Sequence, residues 1–261
     1  MKKQHRPGLP GNPMLFLALL LVLANACSKK DVSTIDDGST TDDAKITSYL
    51  TTRGFDPQQI VFEKDRVIVE QDIILSRAEL QQRLADWDGS DPRGTETEQR
   101  RHNYIVSNTY NQNITIYIDP AVPSSWRTAV QGAVDNWNAV PSSRLGMSIV
   151  SSQSGAHCRV FMGNANANWV ARAYLPSSSG RPGVSVEINA RFNNMAANQK
   201  LFAITHEFGH TIGFHHTNQT SGIHISGTPT SDPNSVMNSF VLPWNGFTAG
   251  DIRATQILYP Q

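Results

Sequence analysis

The chain of 261 residues lacks several features that would point to common function classes. It has no net charge, since 22 Lys+Arg balance 22 Asp+Glu. That excludes a nucleic-acid binder relying on bulk electrostatic attraction, so nucleic acid is not an expected partner. Its two cysteines are too few for a disulfide framework. It also lacks an apolar run of the roughly 20 residues that a membrane-spanning helix needs. No internal repeat is visible. The hydrophobic fraction of 39% is enough for a packed core but a little low, so part of the chain is expected to lie outside it.

The N-terminus reads as an address. Lys2, Lys3 and Arg6 precede the eleven apolar residues Met14 to Ala24. That length suits the core of a signal peptide, expected to span residues 1–26. Ala24-Asn25-Ala26 fits the small-x-small rule of ordinary signal peptidase. Alternatively, Cys27 becomes the first residue and carries lipid. The run Ala26-Cys27-Ser28-Lys29-Lys30-Asp31 resembles bacterial lipoproteins, although Leu23 stands four before the cysteine where three is usual. This resemblance implies a lipid anchor to the membrane through Cys27. It also implies an extracytoplasmic location, at the outer membrane or cell surface. The competing reading is a soluble secreted protein with Cys27 free or paired to Cys158. Cys158 itself sits in an apolar stretch and reads as a small buried core residue.

Residues 27–45 are rich in Ser, Thr and Asp and read as a flexible tether. Residues 46–101 form a small N-terminal segment and linker. In it, Ile60-Val61-Phe62 and Val67-Ile68-Val69 suggest a hairpin, and Ser76 with Glu79 is a capping-box pattern opening a helix. The stretch is too short for a self-sufficient core. Residues 88–101 read as an exposed linker ending in the dibasic pair Arg100-Arg101.

From 102 to 261 lies a segment of domain size. Ile114, Ile116 and Ile118 alternate with polar residues and predict a strand. Trp126, Ala129, Val130, Ala133, Val134 and Trp137 share one face of a helix starting near Ser124. Met147 to Val150, Arg159 to Met162 and Val184 to Ile188 predict further strands. Asn194 is expected to cap a helix from about Met195 to Ile212, and Thr248 with Asp251 to cap a last one through Leu258.

Five of the eight histidines fall within 19 residues, His206 to His224. Residues 206–216 read HEFGHTIGFHH and contain H-E-x-x-H-x-x-G-x-x-H. His206 and His210, four apart on a helix, face the same way and can reach one ion. His216 lies too far on for the same helix. Gly213 resolves this, because glycine tolerates the positive φ that ends a helix and turns the chain back. Three neutral imidazoles suit a single Zn2+ and leave a fourth position for water. Glu207 is next to His206 but rotated about 100° from it around the helix, where a general base for that water belongs. His215 and His224 fall at no ligand spacing and are expected at the surface or behind the ligands.

This motif resembles that of the metzincin metallopeptidases, and its wording is similar to the dual-action HEIGH metallopeptidases, with Phe208 in place of isoleucine. The resemblance covers roughly 102–261. It implies an α+β fold: a twisted mixed sheet, an active-site helix, a Met-turn and a C-terminal helix, preceded by a small α/β segment. It assigns the Met-turn to Ser235-Val236-Met237-Asn238, 21 residues after His216, with Met237 shaping the floor beneath the ligands. Some relatives carry a metal-binding Tyr two residues after that Met; here the position is Ser239.

The resemblance further implies that a peptide or protein substrate pairs with an edge strand, placed at Val184 to Asn189. The expected activity is zinc-dependent hydrolysis of internal peptide bonds. Two other classes are open: a surface binding protein that keeps zinc without hydrolysis, and a cell-wall amidase. Intact Glu207 counts against the first and the Met-turn against the second. Finally, Val69-Glu70-Gln71-Asp72-Ile73 resembles the aspartate motif of astacin prosegments. This implies that Asp72 could occupy the zinc and hold the enzyme latent until cleavage near Arg101. The alternative is that Asp72 is a turn residue in a permanent subdomain.

Overall fold

The computed structural model describes residues 37–87, 89, 99–229 and 231–261. The expected signal peptide, Cys27 and the tether up to residue 36 lie outside the described residues. Among the described residues no helix is long and apolar enough to cross a membrane.

The chain from Asp37 onward forms one unit. In order, its elements are α1 (Asp37–Thr52), β1 (Val61–Phe62), β2 (Arg66–Val69), β3 (Ile73–Ser76), α2 (Arg77–Ala85) and β4 (Arg100–Arg101). Then come β5 (Ile114–Ile118), α3 (Ser124–Asn138), β6 (Met147–Val150), β7 (Cys158–Gly163), β8 (Ala171–Tyr174) and β9 (Ser185–Asn189). The last elements are α4 (Ala197–Ile212), β10 (Phe214–His215), β11 (Ile223–His224) and α5 (Ala249–Leu258).

Eight strands make one mixed sheet in the order β1-β2-β3-β8-β9-β7-β5-β6. Strands β6, β5, β7 and β9 run parallel; β8 is antiparallel to β9, and β3 runs parallel to β8. A small antiparallel sheet, β10-β4-β11, stands apart. The expected α+β architecture, with its twisted mixed sheet, active-site helix and C-terminal helix, is the one observed.

The patterned elements form where periodicity puts them. Ile114, Ile116 and Ile118 are buried on β5, and all six apolar residues on the inner face of α3 are buried. Helix α3 packs on α4, with Trp137 Nε1 donating to the Thr205 carbonyl at 2.9 Å. Gly132 permits this closeness: a Cβ there would lie 2.8 Å from Leu201 Cδ1. Ser76 caps α2 by accepting from the Glu79 amide, and Thr248 and Asp251 form a capping box on α5.

Several expectations need correction. The tether was expected to reach residue 45, but α1 begins at Asp37. Ile46, Tyr49 and Leu50 bury one end of this helix in a second, smaller core with Phe55, Val67, Ile73, Leu75 and Leu80. Once these anchor it, the polar residues before them continue the helix, and Asp43 pairs with Arg77. The N-terminal segment, too short for a core of its own, leans on the larger region as its length requires: β1 to β3 complete the main sheet. An ion cluster fastens it there: Arg66 and Arg172 both contact Glu187, at 3.3 and 2.9 Å.

The dibasic pair is not an exposed linker end. Arg100 is fully buried on β4, its guanidinium donating to the carbonyls of Ser221 and Gly222. The backbone pairing with β10 and β11 pulls it inside, which no local pattern announces. Asn194 does not cap α4; the helix starts after Ala196 without a side-chain cap. Finally, Val184 to Asn189 is not an edge strand. As β9, its ordered part lies between β7 and β8. The four residues of β8, Ala-Arg-Ala-Tyr, carry too little β-branched character to signal a strand on their own.

Candidate metal centre and active site

Helix α4 is enclosed on every side over its last eleven residues, Phe202 to Ile212, all of which are buried. It therefore runs through the interior, and its two histidines are held rigidly there. Gly213 ends it at φ 106, in the left-handed region, and the chain doubles back at once. This return brings the Phe214 carbonyl to 2.8 Å from His210 Nδ1 and carries His216 to the other two imidazoles.

Each imidazole is oriented through Nδ1. His206 donates to the Val236 carbonyl at 2.7 Å, His210 to Phe214, and His216 to Glu70 Oε2 at 2.7 Å. That leaves the three Nε2 atoms facing one another. His216 Nε2 lies 3.3 Å from both His206 Nε2 and His210 Nε2. Lone pairs converging this closely repel unless a cation lies between them. A tetrahedral zinc with bonds of about 2.0–2.1 Å sets its ligand atoms about 3.3–3.4 Å apart. The donor set therefore fits zinc.

Asp72 completes the group. Its carboxylate lies 3.3 Å from His216 Nε2, 3.6 Å from His206 Nε2 and 3.8 Å from His210 Nε2. Asp72, His206, His210 and His216 together could hold a metal ion. Burial works to raise the Asp72 carboxyl, but His216 and the other imidazoles outweigh it and hold it well below the usual carboxylate range. Burial likewise disfavours charge on His216, yet the carboxylates of Asp72 and Glu70 push it up to about 10. The centre demands a cation: a proton on His216 when no metal is bound, and the metal otherwise.

Glu207 lines the same cavity, of about 430 Å³, as His206, Asp72, Trp169, Phe202 and Phe240. Its Oε2 is buried and has no hydrogen-bond partner among the described residues. Burial, reinforced by the charge of Asp72, raises its carboxyl well above the usual value.

The sequence profile of the dual-action HEIGH metallo-peptidases matches residues 67–259. The chain belongs to that family. It is a zinc metallopeptidase. Solved structures similar to this metallopeptidase include that of myroilysin, with 16% identity, 58% of this chain and 85% of that one covered, and a TM-score of 0.42. Another is high choriolytic enzyme 1, a hatching-enzyme zinc-protease of the medaka fish Oryzias latipes. It shows 16% identity, coverage of 60% and 93%, and a TM-score of 0.41. No curated protein sequence matches the chain.

In this HEIGH metallopeptidase the residues expected to gather do so. Met237 is buried beneath α4, and a Cβ on Gly209, between the two helix ligands, would lie 2.3 Å from its sulfur. Ser239 lines the cavity with His206 and pairs with Asn218, its Oγ accepting from Asn218 Nδ2 at 2.9 Å and its amide donating to Asn218 Oδ1 at 3.0 Å. His215 departs from a surface role: it is buried, with Nδ1 at 3.0 Å from Ser221 Oγ and its ring stacked on His102. Cys27 lies outside the described residues.

Two contributors were not foreseen. Glu70 was visible only as a neighbour of Asp72. Asp251 was read as a helix cap, but it also binds the Met-turn. Its carboxylate accepts from Ser235 Oγ at 2.6 Å, the Val236 amide at 3.1 Å and Gln99 Nε2 at 3.0 Å. A single side chain thus joins α5, the turn beneath the metal centre and the segment that leads into β4.

Proposed function

We propose that this chain is an extracytoplasmic endopeptidase anchored by lipid at Cys27, with Glu207 as general base, and that Asp72 keeps it latent. The observation that carries the catalytic part is the partnerless, buried Glu207 Oε2 in the same cavity as His206, one of the three converging imidazoles, and Asp72. A buried carboxylate oxygen without a donor is costly and is kept where a transient partner arrives.

His206, His210 and His216 would hold the zinc, and Met237 would form the apolar floor under them. When bound there, zinc would supply Lewis acidity and make water a nucleophile near neutral pH. Glu207 Oε2 would take a proton from water in the cleft and return it to the leaving amine. Its raised pKa, caused by burial, suits a group that must both take and give a proton.

Strand β8 is the antiparallel strand beside the site, and the edge that an extended peptide would use is filled by β3. The Ala173 amide donates to the Asp72 carbonyl at 2.8 Å, and the Leu175 amide to that of Ile74. Asp72 is thereby fixed at the imidazoles where the water would bind. This supports latency over the reading of Asp72 as an ordinary turn residue. The burial of Arg100 argues against activation by cutting at Arg101.

A casein zymogram with and without a chelator tests the peptidase reading. For latency, the mature chain is compared with Asp72→Ala in a peptide assay. The variant should be many-fold more active. Equal activity of the two would reject the aspartate switch. Cys27→Ser should move the protein from the detergent-extracted membrane fraction to the soluble one; continued membrane association would reject the lipid anchor.

A further inference from the structure

Two of the three imidazoles are held by carbonyls of the catalytic region, but the third is not. His216 Nδ1 is held by Glu70, 146 residues away in the chain. Glu70 is 6% exposed and sits in the loop between β2 and β3. Glu70 and Gln71 have φ of 52° and 76°, two consecutive non-glycine residues in the left-handed region. L residues rarely adopt this conformation, and it persists only where the surroundings enforce it. Here the pair Val69↔Ile73 closes the loop, and the Ala173 amide pins the Asp72 carbonyl. As a result one loop presents Glu70 to Nδ1 of His216 and Asp72 to Nε2 of the same ring.

We infer that Glu70 is a positioning residue for the zinc ligand His216, so that the N-terminal hairpin builds the metal centre as well as blocking it. The inference rests on the zinc centre proposed above. A carboxylate on Nδ1 fixes the tautomer, holds the ring plane and makes Nε2 a stronger donor to a metal. Backbone carbonyls give His206 and His210 the first two of these, and they stay in place whatever the hairpin does. His216 depends on the hairpin. When the loop withdraws from the cleft, the site is unblocked and one ligand is loosened in the same movement. The latent form is therefore the tighter zinc binder.

The test uses the full mature chain with Glu70→Ala, Glu70→Gln and Glu70→Asp. Zinc affinity is measured by chelator competition, and the visible spectrum is recorded after cobalt substitution. Glu70→Ala should bind zinc about tenfold more weakly, with an altered cobalt spectrum. Glu70→Gln retains an acceptor oxygen and should recover most of the affinity. If Glu70→Ala does not fold, Glu70→Asp must show the loss, because it withdraws the carboxylate by one methylene. Leu145→Ala serves as the control, since it weakens the core beside β6, at the end of the sheet opposite the hairpin. It should lower the melting temperature and leave zinc affinity alone. Wild-type affinity and spectrum in Glu70→Ala, or an equal loss in Leu145→Ala, would overturn the role of Glu70. A wild-type chain that binds no zinc would overturn the metal reading and this inference together.

Discussion

The Asp251 carboxylate accepts the Val236 amide at 3.1 Å, and the carbonyl of Val236 accepts from His206 Nδ1 at 2.7 Å. A helix cap and a proposed metal ligand are thus two hydrogen bonds apart. Asp251→Ala leaves the Ser235 hydroxyl and the Val236 amide without their acceptor in the interior, while Gln99 Nε2 keeps Asp232. Each unmet buried donor costs about 1–3 kcal/mol, so a loss of at least about 2 kcal/mol is expected in urea unfolding. Zinc affinity should fall as well. Thr248→Ala removes the cap's hydroxyl without reaching the Met-turn and should leave affinity unchanged. Equal zinc affinity in Asp251→Ala and wild type would break the proposed link to His206.

Gly209→Ala pits two effects against each other. Alanine gains about 1 kcal/mol in helix propensity over glycine. The new Cβ would lie 2.3 Å from Met237 Sδ and 3.4 Å from Trp137 Cζ2, and overpacking a buried site costs about 1–3 kcal/mol. Methionine is flexible but fully enclosed here, so net destabilisation of about 1 kcal/mol is expected. A thermal melt checks it. An unchanged or raised melting temperature would mean that Met237 moves freely.

Glu207→Ala, combined with Asp72→Ala to open the site, should abolish peptide hydrolysis and leave zinc bound. Metal analysis beside a peptide assay decides the matter. Substantial turnover in this double variant would remove Glu207 from the mechanism.

Replacing His216 by Ala should lower zinc occupancy far more than replacing His215. Only His216 turns Nε2 toward the other two imidazoles, while His215 binds Ser221 and stacks on His102. Equal effects on metal content would show that the third ligand has been misplaced.

Cys158 should resist thiol reagents in the folded protein. Burial pushes its thiol up to about 12, so almost none is thiolate at neutral pH, and its side chain is enclosed. Labelling should appear only as the protein unfolds. Fast labelling of the native chain would mean that the sheet around β7 opens readily.

The sequence by itself determined the three imidazoles proposed to hold zinc and the elements nearest them. His206 and His210 are coupled by helical periodicity, and Gly213 marks the turn toward His216, so the chemistry is written in local spacing. Helix α3, strand β5 and the cap at Thr248 were legible for the same reason: their apolar or capping residues recur at the period of the element. Tertiary structure alone decided which strands flank β9 beside the site, because β8 is too short and too weakly patterned to reveal itself. It also decided that Arg100 is buried, since backbone pairing with distant strands, rather than its neighbours, supplies its environment. Above all it placed Glu70 and Asp72 on either side of His216. Contacts between residues more than 130 positions apart depend on how the sheet is assembled, and no pattern of neighbouring residues encodes them.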